Sequence, residues 1–124
     1  MKKILLIDDD QVLREIGAEI LQRGGYAVIC AEDGNRGVAL FRSECPDLVI
    51  TDIIMPEKEG IQTIIEIRSL RSDAKVIAMS GGGRRVGRTD FLKVARTIGA
   101  ADVILKPLDP GELLARVGNC LAGG

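Results

Sequence analysis

The chain has 124 residues, 46% hydrophobic and 28% charged, with a net charge of −1. That is the size and balance of one globular domain with a sizeable core, and nothing in the charge draws it to nucleic acid or to an anionic membrane. The sequence has no His, which removes Ser-His and Cys-His nucleophiles, and Cys30, Cys45 and Cys120 show no metal-binding spacing, so they read as buried or half-buried thiols in a reducing cytoplasm. No apolar run is long enough for a membrane span and no signal peptide opens the chain, so a cytoplasmic location is expected.

In chain order the first element is the apolar run Ile4–Ile7, followed directly by Asp8, Asp9 and Asp10. A strand covered on both faces reads as a continuous apolar run rather than an alternating one. Leu13, Ile16 and Ile20 then mark a helix that stops at Gly24–Gly25. A second strand, Ala27–Ala31, leads to a helix marked by Val38 and Phe41 and ended by Pro46. The third strand, Leu48–Thr51, runs into Asp52, and Ile61, Ile64 and Ile65 mark the next helix. Val76–Met79 ends on Ser80, ahead of the Gly/Arg-rich stretch Gly81–Arg88. Phe91, Ala95 and Ile98 mark a fourth helix, stopped by Gly99. The last strand, Val103–Leu105, meets Lys106, and a final helix marked by Leu113, Val117 and Leu121 starts with Asp109 as N-cap and Pro110 in its first turn.

Five alternating strand–helix units predict right-handed crossovers and a doubly wound, flavodoxin-like parallel sheet of order 2-1-3-4-5, in one domain over residues 1–124. Such a sheet binds ligands at the carboxyl ends of its strands, where the order reverses, here between strands 1 and 3. Asp8, Asp9, Asp52, Ser80 and Lys106 all follow strands, so they converge on one pocket. The acidic run after strand 1 has two readings, a solvated helix start or a cation seat. Its convergence with Asp52, Ser80 and Lys106 favours the cation seat, with Asp10 left as the cap. Clustered carboxylates suit Mg²⁺, a carboxylate can take a phosphoryl group as an aspartyl phosphate, and a hydroxyl and an ammonium can hold the phosphoryl oxygens.

The motifs IDDD (Ile7–Asp10), TDIIMP (Thr51–Pro56), AMS (Ala78–Ser80) and LKP (Leu105–Pro107), in that order and over essentially the whole chain, resemble the receiver domains of two-component response regulators. The resemblance implies Asp52 as phosphoacceptor, Asp8 and Asp9 with the backbone carbonyl of Ile54 as further Mg²⁺ ligands, Ser80 as switch hydroxyl and Lys106 as the phosphoryl-binding lysine, with Lys106–Pro107 cis. It implies a sensor histidine kinase or a phosphotransfer protein as donor. The output protein or effector domain is unspecified, direct nucleic-acid or membrane binding is not expected, and the state is a monomer or a phosphorylation-dependent dimer. The implied role is a signalling phosphoacceptor that assists its own phosphorylation and dephosphorylation, rather than an enzyme.

Two departures stand out: Val103 occupies a position where the family commonly carries Tyr or Phe, and the segment from Ser80 to Lys106 is longer than usual. Arg84, Arg85 and Arg88 lack accompanying aromatics and read as a solvated loop, and the glycines before them lack the lysine of a nucleotide loop. Two alternatives use similar residues. A haloacid-dehalogenase-like phosphohydrolase would use Asp8 as nucleophile, with Asp10, Ser80 and Lys106, but leaves Asp52 unexplained. A degenerate receiver would fold alike and act only as an interaction module. Without a further domain after Leu121 the chain reads as a stand-alone regulator or an excised receiver.

Overall fold

The computed structural model describes residues 1–53, 60–81 and 88–123, with 88–92 described by backbone alone. Strands β1 (Lys3–Ile7), β2 (Ala27–Ala31), β3 (Leu48–Asp52), β4 (Val76–Ser80) and β5 (Asp102–Leu105) alternate with helices α1 (Gln11–Arg23), α2 (Gly34–Glu44), α3 (Gly60–Leu70), α4 (Arg88–Thr97) and α5 (Pro110–Ala122). The strands form one parallel sheet of order β2-β1-β3-β4-β5, as the sequence predicts.

Alternation along each strand divides the core in two. Leu5, Ile7, Val49, Val76, Ala78 and Val103 pack on one face with Phe41 of α2, Ile64 and Ile67 of α3 and Ala95 of α4. Ile4, Leu6, Leu48, Ile50, Ile77, Met79 and Ile104 pack on the other with Leu21 of α1 and Leu113 and Val117 of α5. Both faces are covered, which is why these strands read as unbroken apolar runs. Tyr26 packs at the edge of the second core. No helix among the described residues is long and apolar enough to cross a membrane.

The helix faces differ in part from the predicted stripes. Ile16 is 46% exposed and Ile65 52%. On α1 the buried positions are Gly17 and Leu21. A Cβ on Gly17 would sit 2.9 Å from Leu6 Cδ2, so a glycine lets the helix press onto β1 where an isoleucine would hold it off. On α3 the inward stripe is Gly60, Thr63, Ile64 and Ile67, and Ile65 lies one step of about 100° past it. The thiols also depart from expectation: Cys30 and Cys45 are exposed, and Cys120 alone of the three is half-buried. Cys30 sits on edge strand β2, and Cys45 is the left-handed C-cap of α2, at φ 47°. The Gly24–Gly25 stop is as predicted, Gly25 taking φ 95°. The expected helix marker Phe91 has its side chain outside the described residues, and Arg88, read as part of the Gly/Arg loop, is instead the first residue of α4.

Candidate functional site: a carboxylate–lysine cluster at the sheet's carboxyl edge

The register sets the site. Ile7 pairs with Thr51 across β1 and β3, so Asp8 and Asp52 leave neighbouring strands side by side. Asp8 N still donates to Ala31 O at 3.1 Å, and Lys106 N donates to Ser80 O at 2.8 Å, so the ladder extends to the residues that carry the chemistry. The Lys106–Pro107 peptide is cis.

Asp8 is 0% exposed, Asp52 6% and Ser80 4%, while Asp9 is exposed. Lys106 reaches over from β5. Its Nζ donates to Asp52 Oδ2 at 2.7 Å and lies 3.0 Å from Asp8 Oδ2, an ion-pair distance without hydrogen-bond angles. Asp8 Oδ1 accepts from Asp10 N at 2.9 Å. Asp8 Oδ2 is therefore buried with no hydrogen-bond donor among the described residues. Burial pushes the Asp8 carboxyl above its ordinary value of 3.8; the Asp10 amide and the Lys106 ammonium pull it back without cancelling the rise, and the Asp52 charge adds to it. For Lys106 burial acts downward, but the hydrogen bond to Asp52 and the charges of Asp52 and Asp8 outweigh it, so its pKa is raised and the ammonium is held charged.

Two buried carboxylates thus share one ammonium, and a third is near: Asp8, Asp9 and Asp52 each bring an oxygen within 4.8 Å of the others. A buried carboxylate oxygen without a donor, where three carboxylates and one ammonium meet among the described residues, fits a hard divalent cation with oxygen ligands. Asp10 is occupied otherwise. Its side chain accepts from Val12 N and Leu13 N and caps α1, as the sequence predicts.

Ser80 closes β4, one residue beyond the Met79 that pairs with Asp52. The structure thus brings Asp8, Asp9, Asp52 and Lys106 together, with Ser80 on the adjoining strand end. Ile54, Met55 and Pro56 lie outside the described residues, as do Gly82, Gly83, Arg84 and Arg85. Val103 is fully buried in the core. Two residues escaped the sequence reading. Arg14 Nη1 donates to the Asp8 carbonyl oxygen at 2.6 Å. Gly60 packs so closely on β3 that a Cβ there would fall on the Asp52 carbonyl oxygen and lie 2.6 Å from Ile53 Cα. A helical Arg and a helix-start Gly carry no pattern that would announce either contact.

The family model of the response regulator receiver domain matches residues 4–118. The chain belongs to that family. It is a receiver domain of two-component systems, and the haloacid-dehalogenase-like alternative is not favoured. The receiver is 37% identical over 117 residues to the transcriptional regulatory protein CpxR of Klebsiella pneumoniae, covering 94% of this chain and 48% of that one. It is 38% identical over 116 residues to the probable transcriptional regulator ycf27 of Guillardia theta, covering 94% and 44%. The receiver therefore spans about half the length of the curated relatives it matches. Among solved structures, a CheY-like receiver domain protein from Methanospirillum hungatei superposes with a TM-score of 0.88 at 28% identity, covering 99% of this chain and 95% of that one. A chain of the CheX–CheY–BeF3–Mg²⁺ complex from Borrelia burgdorferi gives 0.85 at 29%, covering 94% and 86%.

Proposed function

We propose that residues 1–124 act as one receiver domain in which Asp52 accepts a phosphoryl group from a phosphohistidine on a sensor histidine kinase or a phosphotransfer protein. The observation that carries this reading is the pair of contacts made by Lys106, 2.7 Å from Asp52 and 3.0 Å from Asp8. The lysine marks where an anion is expected, between the nucleophile and the acidic pair. An Asp52 carboxylate oxygen attacks phosphorus, the P–N bond breaks, and its electron pair leaves with the imidazole of the donor. Asp8, Asp9 and Asp52 would hold Mg²⁺, with the Ile54 carbonyl as a further ligand. Bound there, the ion screens the repulsion between the carboxylate and the incoming phosphoryl oxygens. That one similar chain comes from a complex holding Mg²⁺ supports this choice of cation.

Lys106 and the Ser80 hydroxyl then hold the phosphoryl oxygens. Before transfer the ammonium is bonded to Asp52 itself, so phosphorylation replaces that partner and gives Lys106 and Ser80 a new one. That exchange biases a two-state equilibrium in the loops after β3 and β4 and in α4 and β5, to which an output protein or effector domain responds. With Val103 buried where an aromatic is usual, the change does not run through a swinging ring. The same residues assist phosphorylation of Asp52 and the later transfer of its phosphoryl group to water, which restores the carboxylate, so the chain acts as a signalling phosphoacceptor. Its setting is the cytoplasm, as a monomer or as a dimer formed on phosphorylation.

Acetyl phosphate and Mg²⁺ should add one phosphoryl group to the intact protein, and borohydride trapping should place it on residue 52. Asp52→Asn should abolish the mass gain, and Lys106→Ala should keep it while losing the response. Labelling that persists unchanged in Asp52→Asn would reject the assignment, and no labelling of the wild type would leave an interaction module.

A further inference from the structure

We propose that Arg14 is a positioning residue for the divalent-cation seat, acting through the main chain of Asp8; this rests on the metal reading above. A guanidinium offers five donors and ordinarily meets a carboxylate. Arg14 does not: among the described residues it forms no ion pair, and its Nη1 donates to the Asp8 carbonyl oxygen at 2.6 Å in a partly buried setting. The same residue donates its backbone N–H to Asp10 O at 3.0 Å, the first intrahelical bond of α1. One residue in the second turn of the helix thus grips both ends of the three-aspartate turn.

The consequence follows from peptide planarity. The Asp8 carbonyl belongs to the Asp8–Asp9 peptide unit, so fixing its oxygen fixes the plane from which the Asp9 side chain departs. The Asp10 N–H closes the turn from the other side by donating to Asp8 Oδ1 at 2.9 Å. That leaves Oδ2, which has no hydrogen-bond donor, turned toward Asp52 and Lys106. Arg14 therefore fixes the peptide carrying both acidic ligands while touching neither carboxylate. This is how groups behind the direct ligands of a metal usually act.

Positioning and simple electrostatics give opposite signs. Arg14 is a positive charge close to a cation seat, so if charge alone mattered, removing it would strengthen cation binding. If positioning governs, removing it weakens binding. The experiment is titration of the full chain with Mn²⁺ alone, reading free Mn²⁺ by electron paramagnetic resonance. Arg14→Ala should weaken Mn²⁺ binding by about tenfold, the lower range for loss of such a supporting group. Arg14→Lys, with one donor able to reach the carbonyl, should fall between. In acetyl phosphate labelling the Mg²⁺ concentration for half-maximal rate should rise by the same factor, with the rate at saturating Mg²⁺ unchanged; a merely structural role would lower thermal stability and leave both affinities alone. Should Arg14→Ala fold poorly, Arg14→Gln is read in the same way. Binding by Arg14→Ala that equals or exceeds wild type overturns the proposal. A wild type that takes up no Mn²⁺, like an Asp8→Asn control, overturns the metal reading itself and this inference with it.

Discussion

The two edges of the sheet handle charge in opposite ways. At the amino edge the charged groups that pair do so close to water: Arg116 Nη1 sits 3.0 Å from Asp102 Oδ2, Lys3 Nζ 3.2 Å from Glu44 Oε1, the Lys3 N–H donates to Asp47 Oδ2 at 2.8 Å, and Lys75 Nζ donates to Leu121 O at 3.2 Å; only Arg116 Nε is buried there without a hydrogen-bond partner among the described residues. At the carboxyl edge, among the described residues, two buried carboxylates meet the Lys106 ammonium, and one Asp8 oxygen goes without a hydrogen-bond donor. An edge built only to hold the fold resembles the first, because unbalanced buried charge is costly. The imbalance at the other edge is what a divalent cation would relieve, so the two edges should answer differently to mutation, pH and divalent ions.

The largest effect is expected where the carboxyl edge is most tightly packed. A side chain at residue 60 would collide with main-chain atoms of Asp52 and Ile53, which, unlike the tip of a flexible side chain, cannot step aside. Gly60→Ala should cost about 3 kcal/mol, the upper range for overpacking, and lower Tm by roughly 10 °C in a domain of this size. It should also slow labelling by acetyl phosphate, since the displaced backbone is that of Asp52, the proposed phosphoacceptor. A melting temperature within a degree or two of wild type would show that α3 can slide off β3 and that the close fit is incidental.

The next effect has the opposite sign. The Asp8 carboxyl is raised above 3.8, chiefly by burial. The folded state therefore holds that proton more tightly than the unfolded chain does. The stability this brings is fully present below 3.8 and is lost as pH rises through the raised value. Wherever Asp8 is ionised in the folded chain, its charge is a cost. Asp8→Asn should then melt higher than wild type at pH 7 without divalent ions, and the gap should narrow as pH falls through the carboxyl range. Mg²⁺ should close the gap from the other side by stabilising the wild type alone. Thermal melts at several pH values, with and without Mg²⁺, decide this. A wild type more stable than Asp8→Asn at pH 7 in chelator would mean that Lys106 already compensates both carboxylates.

Much of this contrast was legible in the sequence. Five apolar runs fixed the strands, and the first polar residues after them, Asp8, Asp52, Ser80 and Lys106, did come out on one edge. The helix faces were less readable because glycine carries the contact on α1: Gly17 faces β1 and Ile16 faces water. Hydrophobic periodicity weighs side chains and is blind to a helix that packs by lacking one. Arg14 and Gly60 were invisible for a related reason. Both act on main-chain atoms, the carbonyl oxygens of Asp8 and Asp52, and a backbone acceptor has no letter of its own.

The smallest effect is expected at the amino edge, and it sharpens the contrast. Arg116 and Asp102 are 25% and 22% exposed in their side chains, so the pair is partly screened. Asp102 Oδ1 also accepts from Val103 N at 2.8 Å, which leaves the carboxylate partly satisfied when the arginine is gone. Arg116→Met keeps the aliphatic stem over the sheet and removes the charge, and should cost about 1 kcal/mol or less. Labelling of Asp52 and Mg²⁺ affinity should be unchanged, because this pair sits at the start of β5 and the site at its end. If Arg116→Met altered either by more than about twofold, the two edges would be coupled through β5, and their separation into a scaffold edge and a reactive edge would fail.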